Sequence, residues 1–356
     1  MLSALCLFGF GTVQPPKVLL AKPAPDALFR RADGWIGADG DYSVTIGKGK
    51  VLWLFSDTWV GKVRDGHRVE ASMVNNTIGV QASAKAPAEF YLRKTEEGKA
   101  ASQIVPSEGH GWFWLQSGCY AGGTLFQFLN EVEHTDDKGV FSFRSTGLWL
   151  GVTSNPDDNP TDWQTKQIRL TNTLFQPDRT LVWGASSMID GNWAYIYGTD
   201  EHRKDGQIDR SMTLARVPKT MVDDVSRWEY FDGKGWAKSF TAAAPLADQI
   251  ATEYSVTRFG RGYLEVTTEN GLSPKIVGRY AEHPWGPWST AATLYICPEM
   301  GTMKNVFTYA AKAHPSLSAG DEVVVTYAVN SFDFWEVARN ADLYWPKFVR
   351  IRLAKP

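Results

Sequence analysis

Two aspartates, Asp39 and Asp57, stand at the two ends of a stretch that reads as a β-hairpin. Asp41 to Ile46 and Val51 to Ser56 are rich in β-branched and aromatic residues, and Gly47-Lys48-Gly49-Lys50 between them is turn chemistry. With Lys48-Gly49 as a two-residue loop, Ile46 faces Val51 and residue 40 comes opposite residue 57. Asp39 and Asp57 then fall within one residue of being cross-strand partners, whose Cβ atoms lie about 5 Å apart. A slip of one residue turns a side chain to the opposite face, so Asp41 is the alternative to Asp39. Carboxyls brought this close suit hydrolysis of a glycosidic bond, in which one protonates the leaving oxygen and the other activates water or attacks carbon. A close pair also titrates in two separated steps, which keeps one acid protonated near neutrality. Spacing alone fits an ordinary structural role equally well: Asp39 as a turn acid among Gly37 and Gly40, and Asp57 as an Asx-type cap before Thr58.

A third acid, Glu253, precedes a strand whose Tyr-Ser-Val-Thr repeats residues 42–45. It is a proton donor or a tuner of the pair, or else a strand-start acid paired with Arg258 or Arg279. Candidate sugar-binding side chains are Asp41, Trp35, Trp59, Asn76, Trp112, Trp183, Tyr254 and His314, with Asn75 and Trp114 beside them, because tryptophan faces stack on sugar rings and amides bind hydroxyls. The same tryptophans fit a core, the asparagines a turn, and His314 an ordinary loop hydrogen bond. Asp157-Asp158-Asn159 offers too few ligands for a cation loop. No metal site is expected and no cofactor; a structural calcium ion in the channel described next is left open. No phosphate loop, dinucleotide fingerprint, zincin helix or nucleophile elbow occurs.

These residues need a scaffold that gathers distant positions. Aromatics make up 13% of the 356 residues and there are 32 glycines, which suits an all-β chain with many turns. No segment sustains helical periodicity; hairpins recur instead, at Asp41–Ser56, Trp112–Leu129, Leu181–Gly198, Glu253–Thr268 and Val306–Asn330. Their starts step by about 70, 70, 70 and 50 residues. Each is followed by a second strand pair, and Phe348 to Leu353 closes the chain with Val18–Ala21 expected beside it. Five repeats of four strands predict an all-β five-bladed β-propeller with four-stranded antiparallel blades. A β-sandwich with a second domain is the competing architecture. One helical turn is expected near Pro218–Asp224. In a propeller the first strand of each blade lines a central channel, so equivalent positions of the five hairpins converge at one mouth. Those positions are Asp39 and Asp41, His110 to Trp114, Trp183 to Ser187, Glu253 and Tyr254, and the region of His314.

A net charge of −2 with no basic patch argues against nucleic acid. Cys6, Cys119 and Cys297 match no metal motif and are too few for a disulfide framework, so Cys119 and Cys297 are expected as buried thiols. Met1 to Gly11 is a short apolar, signal-like run without a basic start, followed by a proline-rich stretch. Residues 1–25 are therefore read as a signal-like N-terminal segment of a secreted or periplasmic protein, and residues 26–356 as one propeller domain. No other segment is long and apolar enough to span a membrane.

The run Gly37-Ala-Asp-Gly-Asp-Tyr-Ser-Val, then Leu52-Trp-Leu-Phe-Ser-Asp-Thr-Trp, then Asn75-Asn-Thr-Ile-Gly-Val resembles bacterial five-bladed propellers long catalogued as domains of unknown function. It is similar to their relatives recognised as endo-D-arabinanases, glycoside hydrolase family 183. Trp183-Gly-Ala-Ser-Ser, Tyr195-Ile-Tyr-Gly, Leu214-Ala-Arg-Val-Pro, Trp285-Gly-Pro-Trp and Ala313-His-Pro extend the likeness over most of residues 30–353. The resemblance implies that Asp39 and Asp57 are the catalytic acid/base pair. The chain departs from the pattern in having Phe55-Ser-Asp for Phe-Gly-Asp and Asp39-Gly-Asp-Tyr for Asp-Leu-Gly, which places it in a sister group. Similarity to the arabinanase-like propellers of families 43 and 117, whose third acid sits on another blade, keeps Glu253 among the acids. The expected function is a glycoside hydrolase acting on a polysaccharide or oligosaccharide, with an arabinofuranoside-containing glycan as the implied class. The alternative is a non-catalytic carbohydrate-binding or protein-interaction propeller, which needs no paired acids. A polysaccharide lyase would rest on Tyr254 and Arg258.

Overall fold

The five expected hairpins form in a computed structural model that describes residues 13–26 and 28–355. Their first strands are β1 (Tyr42–Thr45), β2 (Trp112–Ala121), β3 (Arg179–Asp190), β4 (Tyr254–Phe259) and β5 (Val306–Ala313). The chain is all-β, and each of these strands lies in a different antiparallel sheet. β1 leads to Val51–Phe55, Thr77–Gln81 and Glu89–Tyr91; β2 to Thr124–His134, Phe143–Thr153 and Thr165–Arg169. β4 leads to Gly262–Thr268, Lys275–Ala281 and Ala292–Ile296. β3 runs through Trp193–Lys204 and Gln207–Pro218 to Glu229–Phe231, with short strands added at its margins. The last sheet joins both ends of the chain: β5, Glu322–Ser331 and Lys347–Leu353 are completed by Val18–Ala24, which pairs from Leu20 opposite Arg352 to Ala24 opposite Phe348. The folded unit therefore begins before residue 26. The signal-like run Met1–Gly11, and Cys6 within it, lie outside the described residues.

Hydroxyl groups clasp each sheet to the next. Ser56 donates to the Leu115 carbonyl (3.2 Å) and Ser117 to the Gly184 carbonyl (2.7 Å). Ser186 Oγ accepts from the Val256 amide (2.8 Å), and Ser255 Oγ from the Ala313 amide (2.7 Å). Ser43 Oγ meets His314 Nδ1 at 2.8 Å and so links the last sheet to the first. The first strands consequently neighbour one another in the order β1, β2, β3, β4, β5, and the turn after β5 returns to β1. Between the sheets lie apolar clusters, such as Trp53, Phe55, Val325 and Phe348 against the last sheet, and Phe128, Trp183, Ile196 and Trp228 between the second and third. Burial of such side chains is the main stabilising term, about 1.5–3 kcal/mol for each fully buried large residue.

Three sequence expectations change. Thr45, not Ile46, faces Val51, because Gly47–Gly49 form a tight 3-10 turn with Lys48 at φ +59°. The register moves by one residue, which makes 39 and 57 the opposed positions. The helical turn expected near Pro218–Asp224 forms just beyond it, as a 3-10 turn at Val225–Arg227 capped by Asp224, and short helices also form elsewhere, including Phe334–Arg339 capped by Asp333. A three-stranded sheet of Asp33–Ala38, Thr58–Arg64 and His67–Val74 grows out of the first hairpin. Both hairpin strands cross into it, one over Asp39–Asp41 and the other over Ser56-Asp57.

Candidate active site

The acids sit where the two strands change sheet. The Asp39 amide donates to the Asp57 carbonyl (3.3 Å) and the Ser56 amide to the Asp39 carbonyl (3.0 Å), so the two aspartates are cross-strand neighbours. The crossing needs glycine at residue 40, which has φ +83°; a Cβ there would come 2.7 Å from the Ser56 nitrogen.

Asp39 Oδ2 accepts from the hydroxyls of Tyr309 (2.6 Å) and Tyr344 (2.9 Å), while Oδ1 has no partner within the protein. Burial pushes the Asp39 carboxyl well above the usual carboxylate range, and the negative charges of Asp57 and Glu253 push the same way against the two tyrosines. Asp57 Oδ1 accepts from Trp114 Nε1 (2.9 Å) and, at 3.4 Å, from Asn75 Nδ2. Burial raises its pKa to about 6, opposed by these two donors and by His134. Both residues keep partial access to solvent, although Asp39 Oδ1 itself is buried.

Asp41 is fully buried and neither carboxyl oxygen has a hydrogen bond of ordinary geometry. Burial raises it to about 6, against the pull of the Lys312 ammonium and the Thr326 hydroxyl. Glu253 accepts from Lys312 Nζ at 2.8 Å, and Lys312, itself buried, also donates to the Ala310 carbonyl at 2.8 Å. The two arginines considered as partners for Glu253 are engaged elsewhere, Arg258 with Asp190 (3.2 Å) and Arg279 with Glu265 (3.0 Å). Asp39, Asp57 and Glu253 are thus gathered, and Asp41 lies beneath them.

Five other expected ligand contacts belong to the framework. Trp35 is buried, stacked on Phe90 at 4.1 Å, with Nε1 donating to Thr77. Trp183 is buried with Nε1 on the Asn172 carbonyl (2.7 Å), and the buried Tyr254 hydroxyl donates to the Gly198 carbonyl (2.7 Å). Asn76 spends its amide on the backbone of Ile104 and Phe113. His314 is buried with Nδ1 on Ser43 and Nε2 on Thr326 (2.7 Å), and burial holds it neutral, its pKa lowered to about 3. The reason for the last misplacement is strand direction. The clasps align residues 43, 117, 186, 256 and 313 at one level, so all five first strands run the same way and the mouth is at their beginnings. In the fifth hairpin that is Phe307 and Tyr309, whereas His314 marks the other end. Trp112 is half-buried near Asp57, against His134 (4.6 Å) and Trp114 (6.3 Å), whereas Trp59, two residues beyond Asp57, is a sixth framework residue, buried in the core against Phe334 (5.5 Å). The indole nitrogens of Trp59 and Trp112 have no partner within the protein.

Sequence reasoning missed Tyr309, Tyr344 and Lys312. Tyr309 had a signal, since Val306-Phe-Thr-Tyr opens the fifth hairpin as residues 39–42 open the first; Tyr344 in its loop had none. Among the described residues no group of three or more His, Cys, Asp and Glu side chains gathers for a metal ion, and Cys119 and Cys297 are buried free thiols.

The chain is 25% identical over 275 residues to a protein named Notoamide biosynthesis cluster protein J' from Aspergillus versicolor, covering 68% of this chain and 67% of that one. Among solved structures it resembles a candidate hydrolase from Bacteroides ovatus, with a TM-score of 0.72, 22% identity, and 92% and 88% of the two chains covered. It also resembles a GH43 enzyme from Xanthomonas citri solved with xylotriose, at a TM-score of 0.51 and 11% identity, with 95% and 90% covered. At these identities the two structures speak for the fold. The family described as Domain of unknown function (DUF5005) matches residues 24–353, and the chain belongs to that family.

Proposed function

We propose that the chain is a five-bladed β-propeller glycosidase of the endo-D-arabinanase-like kind, acting outside the cytoplasm on an arabinofuranoside-containing glycan. The propeller reading rests on the five first strands that neighbour one another in a closed order. The catalytic reading rests on one observation: two cross-strand carboxyls, both raised by burial but held by different donors. Asp39, whose proton affinity burial and the charges of Asp57 and Glu253 raise, is the acid that gives its proton to the leaving oxygen. Asp57, at about 6, is ionised at neutral pH and activates water or attacks the anomeric carbon. Trp114 and Asn75 hold Asp57 in place, Tyr309 and Tyr344 hold Asp39, and Glu253 raises the proton affinity of Asp39. This chemistry uses carboxyl groups only.

A screen of purified protein against arabinans and other glycans, reading new reducing ends, tests the proposal. Release is expected from at least one furanoside-containing glycan and is lost in Asp57→Asn. Binding to a glycan with no cleavage across the panel would turn the reading to a non-catalytic binding propeller.

A further inference from the structure

An arc of aromatic rings links the side chains that donate to the two acids and comes to the surface between them. Tyr309, which donates to Asp39, lies 5.4 Å from Phe307; Phe307 lies 4.6 Å from Phe332 and 5.8 Å from Phe141. Phe141 lies 6.3 Å from Phe143, and Phe143 packs at 4.6 Å on Trp114, the residue that donates to Asp57. The arc is drawn from the fifth hairpin and from the strand pair after β2, elements far apart in sequence. Phe141 and Phe332 are 49% and 53% exposed, and Phe334 and Trp335 beside them are 41% and 66% exposed. Among the described residues these four are the exposed large aromatic side chains; other exposed large hydrophobics are aliphatic.

Leaving such rings in water is unfavourable, and an apolar patch continuous with a cleft marks a binding surface. The chemistry of the patch narrows its occupant. Tyrosine and tryptophan offer a polar edge to a sugar hydroxyl, but phenylalanine has none. The polar groups of the opening are concentrated at the acids, and the exposed phenylalanines lie beyond them. A sugar unit suits the first zone and a flat apolar group the second.

We infer that the substrate carries an aromatic or comparably flat apolar group next to the scissile bond, and that this group docks on Phe141 and Phe332. The inference rests on the glycosidase reading for the bond that is cut. The group is either an aglycone or an aromatic substituent on the glycan, which have the same contact chemistry.

Free 2-naphthylmethanol probes the arc without any need for turnover. Titration followed by tryptophan fluorescence is expected to saturate in wild type and in Asp57→Asn. In the double variant Phe141→Ser/Phe332→Ser it should weaken roughly tenfold or more, the scale of one to two aromatic contacts. Both positions are half-exposed, and a thermal melt checks that the variant is folded. No saturation in wild type, or equal affinity in the arc variant, overturns the inference. So does a concentration-dependent dimer in sedimentation that the double variant dissolves and naphthylmethanol does not compete with, since the arc would then be a contact between copies. Hydrolysis separates the two sources. Faster cleavage of 2-naphthylmethyl than of methyl arabinofuranoside indicates an aglycone, and faster cleavage of benzoylated than of plain arabinan indicates a substituent; neither preference counts against the inference. If no glycoside is cleaved, the glycosidase reading fails, while the titration still decides what the arc binds.

Discussion

The two ends of the five neighbouring first strands hold opposite chemistry. At the mouth, Asp39 and Asp57 are raised by burial, Asp39 Oδ1 has no protein partner, and the aromatic side chains around them are partly bare. Further along lies a cavity of 210 Å³ whose lining includes Ser43, Ser117, Ser186, Ser255 and His314 but none of the acids. There the serines are spent on clasps between sheets, and both nitrogens of His314 are engaged. Burial perturbs titration at both ends, upward for the aspartates and downward for the histidine. The two ends therefore differ in that the polar atoms of one are already satisfied, while Asp39 Oδ1 at the other is not. A buried group with every hydrogen bond made holds the fold, as His314 does.

Mutations at the two ends should part company. Asp57→Asn is expected to lower kcat on the responsive glycan by roughly 10²–10⁴-fold, with little loss of stability in a thermal melt. His314→Phe should do the reverse, costing roughly 1–3 kcal/mol in denaturant unfolding by orphaning Ser43 and Thr326, with kcat near wild type. Equal losses of kcat in both would erase the distinction between the ends. Asp41→Asn addresses burial without catalysis. The folded-state pKa of Asp41, about 6, lies above its ordinary 3.8, so the native state favours the protonated form and loses stability as pH rises through about 6. The amide should stabilise the protein by about 3 kcal/mol at pH 8, and by little at pH 4, in paired unfolding curves. The smallest effect concerns Tyr344→Phe. Its hydroxyl favours ionised Asp39, so its loss raises that carboxyl further and moves the alkaline limb of kcat/KM to higher pH, while the acid limb near 6 stays with Asp57. An alkaline limb that moves down would contradict the role given to Asp39.

Much of this arrangement could be read from the chain. The five hairpins, the closing strand at Val18 and the approach of Asp39 to Asp57 follow from alternation, turn residues and register, all local signals. The exact facing pair did not follow, because the Gly47–Gly49 turn takes one residue more than a two-residue loop and shifts the register. Composition could not tell stacking tryptophans from core tryptophans: Trp35 and Trp183 differ from Trp112 only in what packs over them. Lys312 was invisible because a lysine at the end of an apolar strand reads as exposed, whereas here Glu253 and the Ala310 carbonyl hold its ammonium inside. Tyr344 reaches Asp39 from a loop of the last sheet, which lies beside the first only because the chain closes on itself.

The division of labour between the two aspartates is the central claim, and leaving-group dependence tests it most directly. Asp39→Asn and Asp57→Asn should be compared on the natural glycan and on the matching 4-nitrophenyl glycoside, whose leaving group needs no proton. Asp39→Asn is expected to lose the glycan but keep most turnover of the 4-nitrophenyl substrate, while Asp57→Asn loses both. Full activity of Asp57→Asn on either substrate, or loss of both by Asp39→Asn alone, would contradict it.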